Sequence, residues 1–118
     1  MSRWIETGRS QLEGGAIALY IKPEVNSPTA KRICCPRSPR EVFHSHDSTD
    51  GSSHAYLTAT DAALVIERGW GERHGLSGRA LGLPLNYTMI FAPRDEDEVA
   101  IVSAIAKAAA YYCLGGYP

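Results

Sequence analysis

A chain of 118 residues has room for one hydrophobic core and not for two independent ones, so a single domain over 1–118 with one principal site is expected. With 44% hydrophobic and 21% charged residues the composition is that of an ordinary globular protein, and twelve basic against thirteen acidic side chains leave a formal charge of -1. That balance excludes a strongly basic nucleic-acid-binding face, since Lys31, Arg32, Arg37 and Arg40 make only a loose loop patch.

Met1 to Gln11 carries Arg3, Glu6 and Arg9 and no apolar signal-peptide core, and no later run approaches the roughly 20 apolar residues of a membrane span, so no membrane partner is expected. Cys34, Cys35 and Cys113 are odd in number and lack zinc-knuckle spacing, which points away from a disulfide scaffold and toward a reducing, cytoplasmic compartment. Gly14 to Ile21 reads as a buried strand that Pro23 ends. Four prolines between Pro23 and Pro39, with Asn26, Ser27 and Ser38, predict irregular loop up to Arg40, with a brief strand at Arg32 to Cys35.

Glu41 to Asp47 and Ser53 to Thr60 are extended segments on either side of Asp50-Gly51, a strong hairpin signal. Thr60 is placed to cap a short helix over Asp61 to Arg68, with Gly69 as its left-handed stop. Trp70 to Leu85 reads as a long ordered loop, and Asn86 to Ala92 as the clearest strand, closed by Pro93. Asp95 and Glu98 then open a helix whose Val99, Val102, Ile105, Ala109 and Tyr112 recur at helical spacing until Gly115 and Gly116. The resulting class is α+β, a small mixed or antiparallel sheet with a β-hairpin and two helices packed on one face.

All four histidines fall between residues 44 and 74. His44 and His46 are two apart, so on a strand both imidazoles face one side, about 6–7 Å apart along the chain. His54, on the partner strand of the hairpin, can face either of them, and three imidazoles on one face match a ligand set for a single iron, copper or zinc ion. His74 is a fourth, reached through the loop. The plain alternative is polar alternation on a solvent-facing strand. Asp47, Asp50 and Asp61 can orient a histidine, complete a metal shell or cap turns, and for Asp50 and Asp61 the turn and helix-start role fits better. In Gly69-Trp70-Gly71-Glu72-Arg73-His74 two glycines bracket an indole suited to a pocket wall; the alternative has Trp70 filling the core and Glu72 with Arg73 forming a surface ion pair. Arg94 is placed either to hold an anionic substrate group or to lock the start of the last helix.

These residues carry a resemblance. His44-Ser45-His46-Asp47, then His54, Asp61, the Gly-Trp-Gly-Glu-Arg-His segment, Pro84, and Phe91-Ala92-Pro93-Arg94 followed by acidic residues resemble, in order, the segments of the fungal luciferase family over about residues 12–113. The chain differs from luminous members in having Ser48-Thr49 where an aromatic-His pair is usual, in Gly75 and Ser77, and in lacking a hydrophobic N-terminal segment. The resemblance implies oxidation of a hydroxylated aromatic or pyrone, as luminous members oxidise 3-hydroxyhispidin with molecular oxygen to a peroxide that loses carbon dioxide.

The residues themselves permit a cofactor-free route. His46 or His54 removes an acidic enol or phenol proton, Arg73 steadies the anion, His74 relays the proton, and Trp70, Tyr56 and Tyr87 offer flat apolar surface. In the competing route His44, His46 and His54 hold one transition metal that binds oxygen or polarises a carbonyl. A non-oxidative cyclase, isomerase or decarboxylase of natural-product biosynthesis, and a non-catalytic small-ligand binding protein, use the same pocket without oxygen.

Overall fold

The computed structural model describes residues 3–12, 16–25, 27–35, 37–46, 50–73 and 87–115. Among them, six strands and three helices follow the order β1 (Ile5–Arg9), β2 (Ile17–Ile21), α1 (Pro28–Ile33), β3 (Glu41–Ser45), β4 (Ser53–Tyr56), α2 (Ala59–Glu67), β5 (Gly71–Arg73), β6 (Tyr87–Ile90) and α3 (Glu96–Leu114). The strands form one antiparallel sheet in the order β1-β2-β3-β4-β6-β5. The α+β expectation holds, with the sheet wholly antiparallel.

The hairpin forms where Asp-Gly predicted it. Gly51 takes φ 77°, its N–H reaches the carbonyl of His46 at 2.9 Å, and the N–H of His46 returns to Ser52 at 2.8 Å. α2 begins slightly earlier than expected, because Thr58 rather than Thr60 accepts the N–H of Asp61, and Gly69 follows its end with φ 80°. Asp95 caps α3 through the N–H of Glu98, and Gly115 closes that helix in the left-handed region. Three elements differ from expectation: β1 at the sheet edge, where no element was expected, β5 inside the expected Trp70–Leu85 loop, and α1 in a segment expected to be loop leading to a brief strand. In α1, Ser27 is the N-cap and Pro28 sits in the first turn, so Arg32 and Ile33 end a helix rather than begin a strand.

Alternation along the strands separates two faces. Phe43, Ser45 and Ser53 border a cavity with Val102 of α3, and Leu57 lines a groove with Val65 of α2 and Ile105 of α3, so α2 and α3 cover that face. Its core includes Ile21, Ala55, Leu57, Ile90, Ile105, Ala109 and Cys113. The alternate residues His44, His54, Tyr56 and Tyr87 point the other way and are nonetheless buried. Cys34 and Cys113 bring their sulfurs within 4.0 Å where α1 meets the end of α3. No helix of the described residues is long and apolar enough to cross a membrane.

Candidate functional site

Register brings the histidines together. His44 on β3 stands directly opposite His54 on β4, and His46, just past the end of β3, lies beside the same turn. The three rings pack edge to face, with centroids 5.2 Å (His44–His46), 4.8 Å (His44–His54) and 4.8 Å (His46–His54) apart. One ligand nitrogen from each lies within 4.8 Å of the others. His44 is 1% and His54 5% exposed, while His46 is half-buried with its Nε2 out of contact with solvent.

Behind His44 stands Glu41, 1% exposed. A residue three before His44 belongs on the opposite face of a regular strand, but the pairing with β2 jumps from Leu19↔Phe43 to Tyr20↔Glu41. That β-bulge turns Glu41 onto the histidine face. Its Oε2 accepts from Nδ1 of His44 and from Ser10 Oγ, both at 2.7 Å. Its Oε1 accepts from Ser38 Oγ at 2.9 Å and the N–H of Gln11 at 3.0 Å, with the Tyr20 hydroxyl at 3.1 Å. Burial pushes the Glu41 carboxyl up, but the hydrogen bonds from His44, Ser10 and Ser38 outweigh it, so the group stays ionised below the usual carboxylate range.

A carboxylate only accepts, so His44 holds its proton on Nδ1 and, when neutral, turns the lone pair of Nε2 inward. Nδ1 of His54 lies 2.9 Å from that lone pair. His46 is set in a parallel way. Ser52 Oγ donates its one proton to Asp50 Oδ1 at 2.7 Å and lies 3.2 Å from Nδ1 of His46, so His46 is the donor there and its lone pair also sits on Nε2. The bond from Ser52 and the N–H of Ser52 keep the Asp50 carboxyl below its ordinary range. Glu41 directly, and Asp50 through Ser52, thus aim two imidazole lone pairs into one space.

The other expected site residues divide. Tyr87 lies against the cluster, its ring centre 5.4 Å from His54 and 6.3 Å from His44, and Tyr56 packs on Tyr87 at 4.8 Å. Both are buried, and the Tyr56 hydroxyl accepts the N–H of Cys35, which makes the pair a wall behind the histidines rather than an open stacking surface. Glu72 shares the cross-sheet row of Met89 and His54, two strands away. Arg73 pairs with Thr88, on the alternate row that faces the helices, so the sheet does not direct it at the histidines. Trp70 likewise lines the groove of about 450 Å³ between α2 and α3. Arg94 is exposed and locks the start of α3, holding Glu98 through Nη2 at 2.7 Å and Nε at 3.0 Å. Asp47 and His74 lie outside the described residues. Glu41, Ser10, Ser38 and Ser52 were not expected; only Asp50-Gly51-Ser52, a turn whose first side chain bonds two residues on, carried a local signal.

A small antiparallel sheet with helices on one face and a carboxylate-anchored imidazole cluster on the other defines a compact α+β domain with a histidine cluster as its candidate site. Residues 39–109, from just before β3 well into α3, match the family model described as Luciferase domain, and the chain belongs to that family. It is 37% identical over 108 residues to a luciferase of Armillaria gallica, and equally to one of Armillaria mellea, in each case over 87% of this chain and 41% of the relative. With a luciferase of Neonothopanus nambi the identity is 34% over 110 residues, covering 87% of this chain and 40% of that protein. The chain therefore spans about two fifths of the length of these curated relatives. No solved structure matches it significantly.

Proposed function

We propose that this chain is an oxygen-dependent enzyme that oxidises a hydroxylated aromatic or pyrone-type small molecule at the His44–His46–His54 cluster. The observation that carries this reading is the convergence of two fixed imidazole lone pairs beside His54, in a chain whose curated relatives are luciferases. Ground-state oxygen reacts slowly with closed-shell neutral molecules and far faster with electron-rich anions. The task of such a pocket is therefore to favour the ionised substrate. In the metal-free protein the acceptor is Nε2 of His46, a nitrogen buried within a half-buried residue, which takes the proton of an enol or phenol hydroxyl as the substrate enters. The anion passes one electron to oxygen, the two radicals join in a carbon–oxygen bond, and the peroxide recovers the proton from His46. Substrate and oxygen then sum to a hydroperoxide, with no external reductant.

The test is an oxygen electrode with hydroxylated pyrones and catechols. Uptake equimolar with substrate loss is expected, reduced by roughly 10²–10⁴-fold in His46→Ala, the usual worth of a positioned proton-transfer group. Substrate conversion without oxygen uptake would replace this reading by an acid-base cyclase, isomerase or decarboxylase. Tight ligand binding with no turnover would reduce the chain to a binding protein.

A further inference from the structure

Donor arithmetic at the histidines asks for something more than a proton. Nδ1 of His44 and Nδ1 of His46 both donate outward, to Glu41 and to Ser52, so both Nε2 lone pairs turn toward the cluster. In the hydrogen-bonded arrangement the Nδ1 proton of His54 serves the His44 lone pair across 2.9 Å. Imidazoles oriented from behind by carboxylates are the arrangement in which histidine holds a metal, because the outer acceptor fixes the tautomer and makes the inner nitrogen more basic.

We infer that Nε2 of His44, Nε2 of His46 and Nδ1 of His54 form a site for one divalent transition-metal ion. Metal–nitrogen bonds of about 2.0–2.1 Å put neighbouring ligand nitrogens about 3.0–3.4 Å apart. The His44–His54 pair at 2.9 Å already fits, and one ligand nitrogen from each of the three rings lies within 4.8 Å of the others, so a closure of the rings completes the site. The Nδ1 proton of His54 moves to Nε2 as the cation takes its place, which is a change of tautomer with no net proton release. Three nitrogens select zinc, cobalt, iron, copper or nickel over the oxygen-seeking calcium and magnesium. They also leave coordination positions beyond the three nitrogens for a substrate oxygen atom, whose hydroxyl is acidified by the cation. That place in the reaction rests on the function proposed above, whereas the binding itself does not.

Protein prepared without a histidine tag, stripped with a chelator and titrated with Co²⁺ tests the site. One equivalent per chain is expected, with the visible absorption of a nitrogen-coordinated ion and no competition from Mg²⁺. Ser52→Ala should weaken binding roughly 10–100-fold, the usual effect of losing an outer-shell partner, with an unchanged circular dichroism spectrum. His46→Ala should weaken it further. Absence of saturable binding, or binding that His46→Ala leaves intact, overturns the inference. One bound Co²⁺ without oxygen uptake in the iron- or copper-loaded protein keeps the site and removes the oxidation. Oxygen uptake by stripped protein that added metal does not change keeps the oxidation and overturns the metal's role in it.

Discussion

Replacing Glu41 by glutamine keeps the shape of the side chain and changes only its charge and its hydrogen-bonding direction. Four donors, from His44, Ser10, Ser38 and the N–H of Gln11, converge on the two oxygens of Glu41, while the nearby Tyr20 hydroxyl, with its single proton, lies closer to the Arg9 carbonyl, at 2.6 Å. An amide nitrogen in place of either oxygen sets donor against donor, facing Ser10 and His44 in one orientation and Ser38 and Gln11 in the other. Glu41→Gln is therefore expected to lower stability by about 1–3 kcal/mol, the range for stranding buried polar groups. Ser52→Ala removes one hydroxyl but leaves the bond from the N–H of Ser52 to Asp50, and its loss should stay near about 1 kcal/mol. Urea unfolding of both variants at neutral pH gives the order, and a Ser52→Ala loss as large as that of Glu41→Gln would show that Glu41 is not the main anchor. The histidines were legible in the sequence because strand period and an Asp-Gly turn suffice to put His44 and His54 on one face. Glu41 was not, because its place depends on a register jump that nothing in its own neighbourhood announces.

Two glycines that look alike in the sequence act differently in the elements they border. A Cβ on Gly71 would stand 2.2 Å from the carbonyl oxygen of Met89 and 3.2 Å from Val65, so β5 lies against β6 and under α2 only because that atom is missing. Gly69 has nothing within 4 Å of the same position, and its need is conformational, at φ +80°. Gly69→Ala should cost about 1–2 kcal/mol for the left-handed backbone. Gly71→Ala has to push β5 away from β6 or shift a helix, and should cost more, toward the upper end of the roughly 1–3 kcal/mol of core overpacking. Thermal unfolding of the two variants decides it; equal losses would mean that β5 can move away freely. The same segment shows where reading by pattern fails. A three-residue strand carries no period of its own, so β5 was indistinguishable from loop, and β1, with Ile5 its only large apolar residue, was equally faint. α1 is a different case: Ser27-Pro28 is a genuine helix start, hidden because prolines elsewhere in the segment outweighed it.

At the scale of the whole molecule the sheet divides labour between its faces. α2 and α3 pack on one side, with Ile105 of α3 in the core with Leu57 and Ile90, while the ionisable network from Ser10 to His54 lies on the other. A buried polar network contributes little net stability even when fully satisfied, so the helix-covered face has to supply most of the driving force. The two faces should therefore respond separately to substitution. Ile105 is 8% exposed, in the core beside Leu57 and Val65. Ile105→Ala removes about three buried carbon groups and should destabilise by about 2–5 kcal/mol, a large share of the roughly 5–15 kcal/mol that holds a domain of this size. Well below its lowered melting temperature, the variant should still bind Co²⁺ with wild-type stoichiometry and strength, since its perturbation lies across the sheet from the imidazoles. His46→Ala should do the reverse, because a half-buried ring leaves little cavity but removes a ligand nitrogen. Differential scanning calorimetry and cobalt titration on the same preparations give both numbers. If Ile105→Ala loosens cobalt binding in proportion to its loss of stability, then the two faces are coupled through β3 and β4, and the histidine geometry depends on how α3 presses on the sheet.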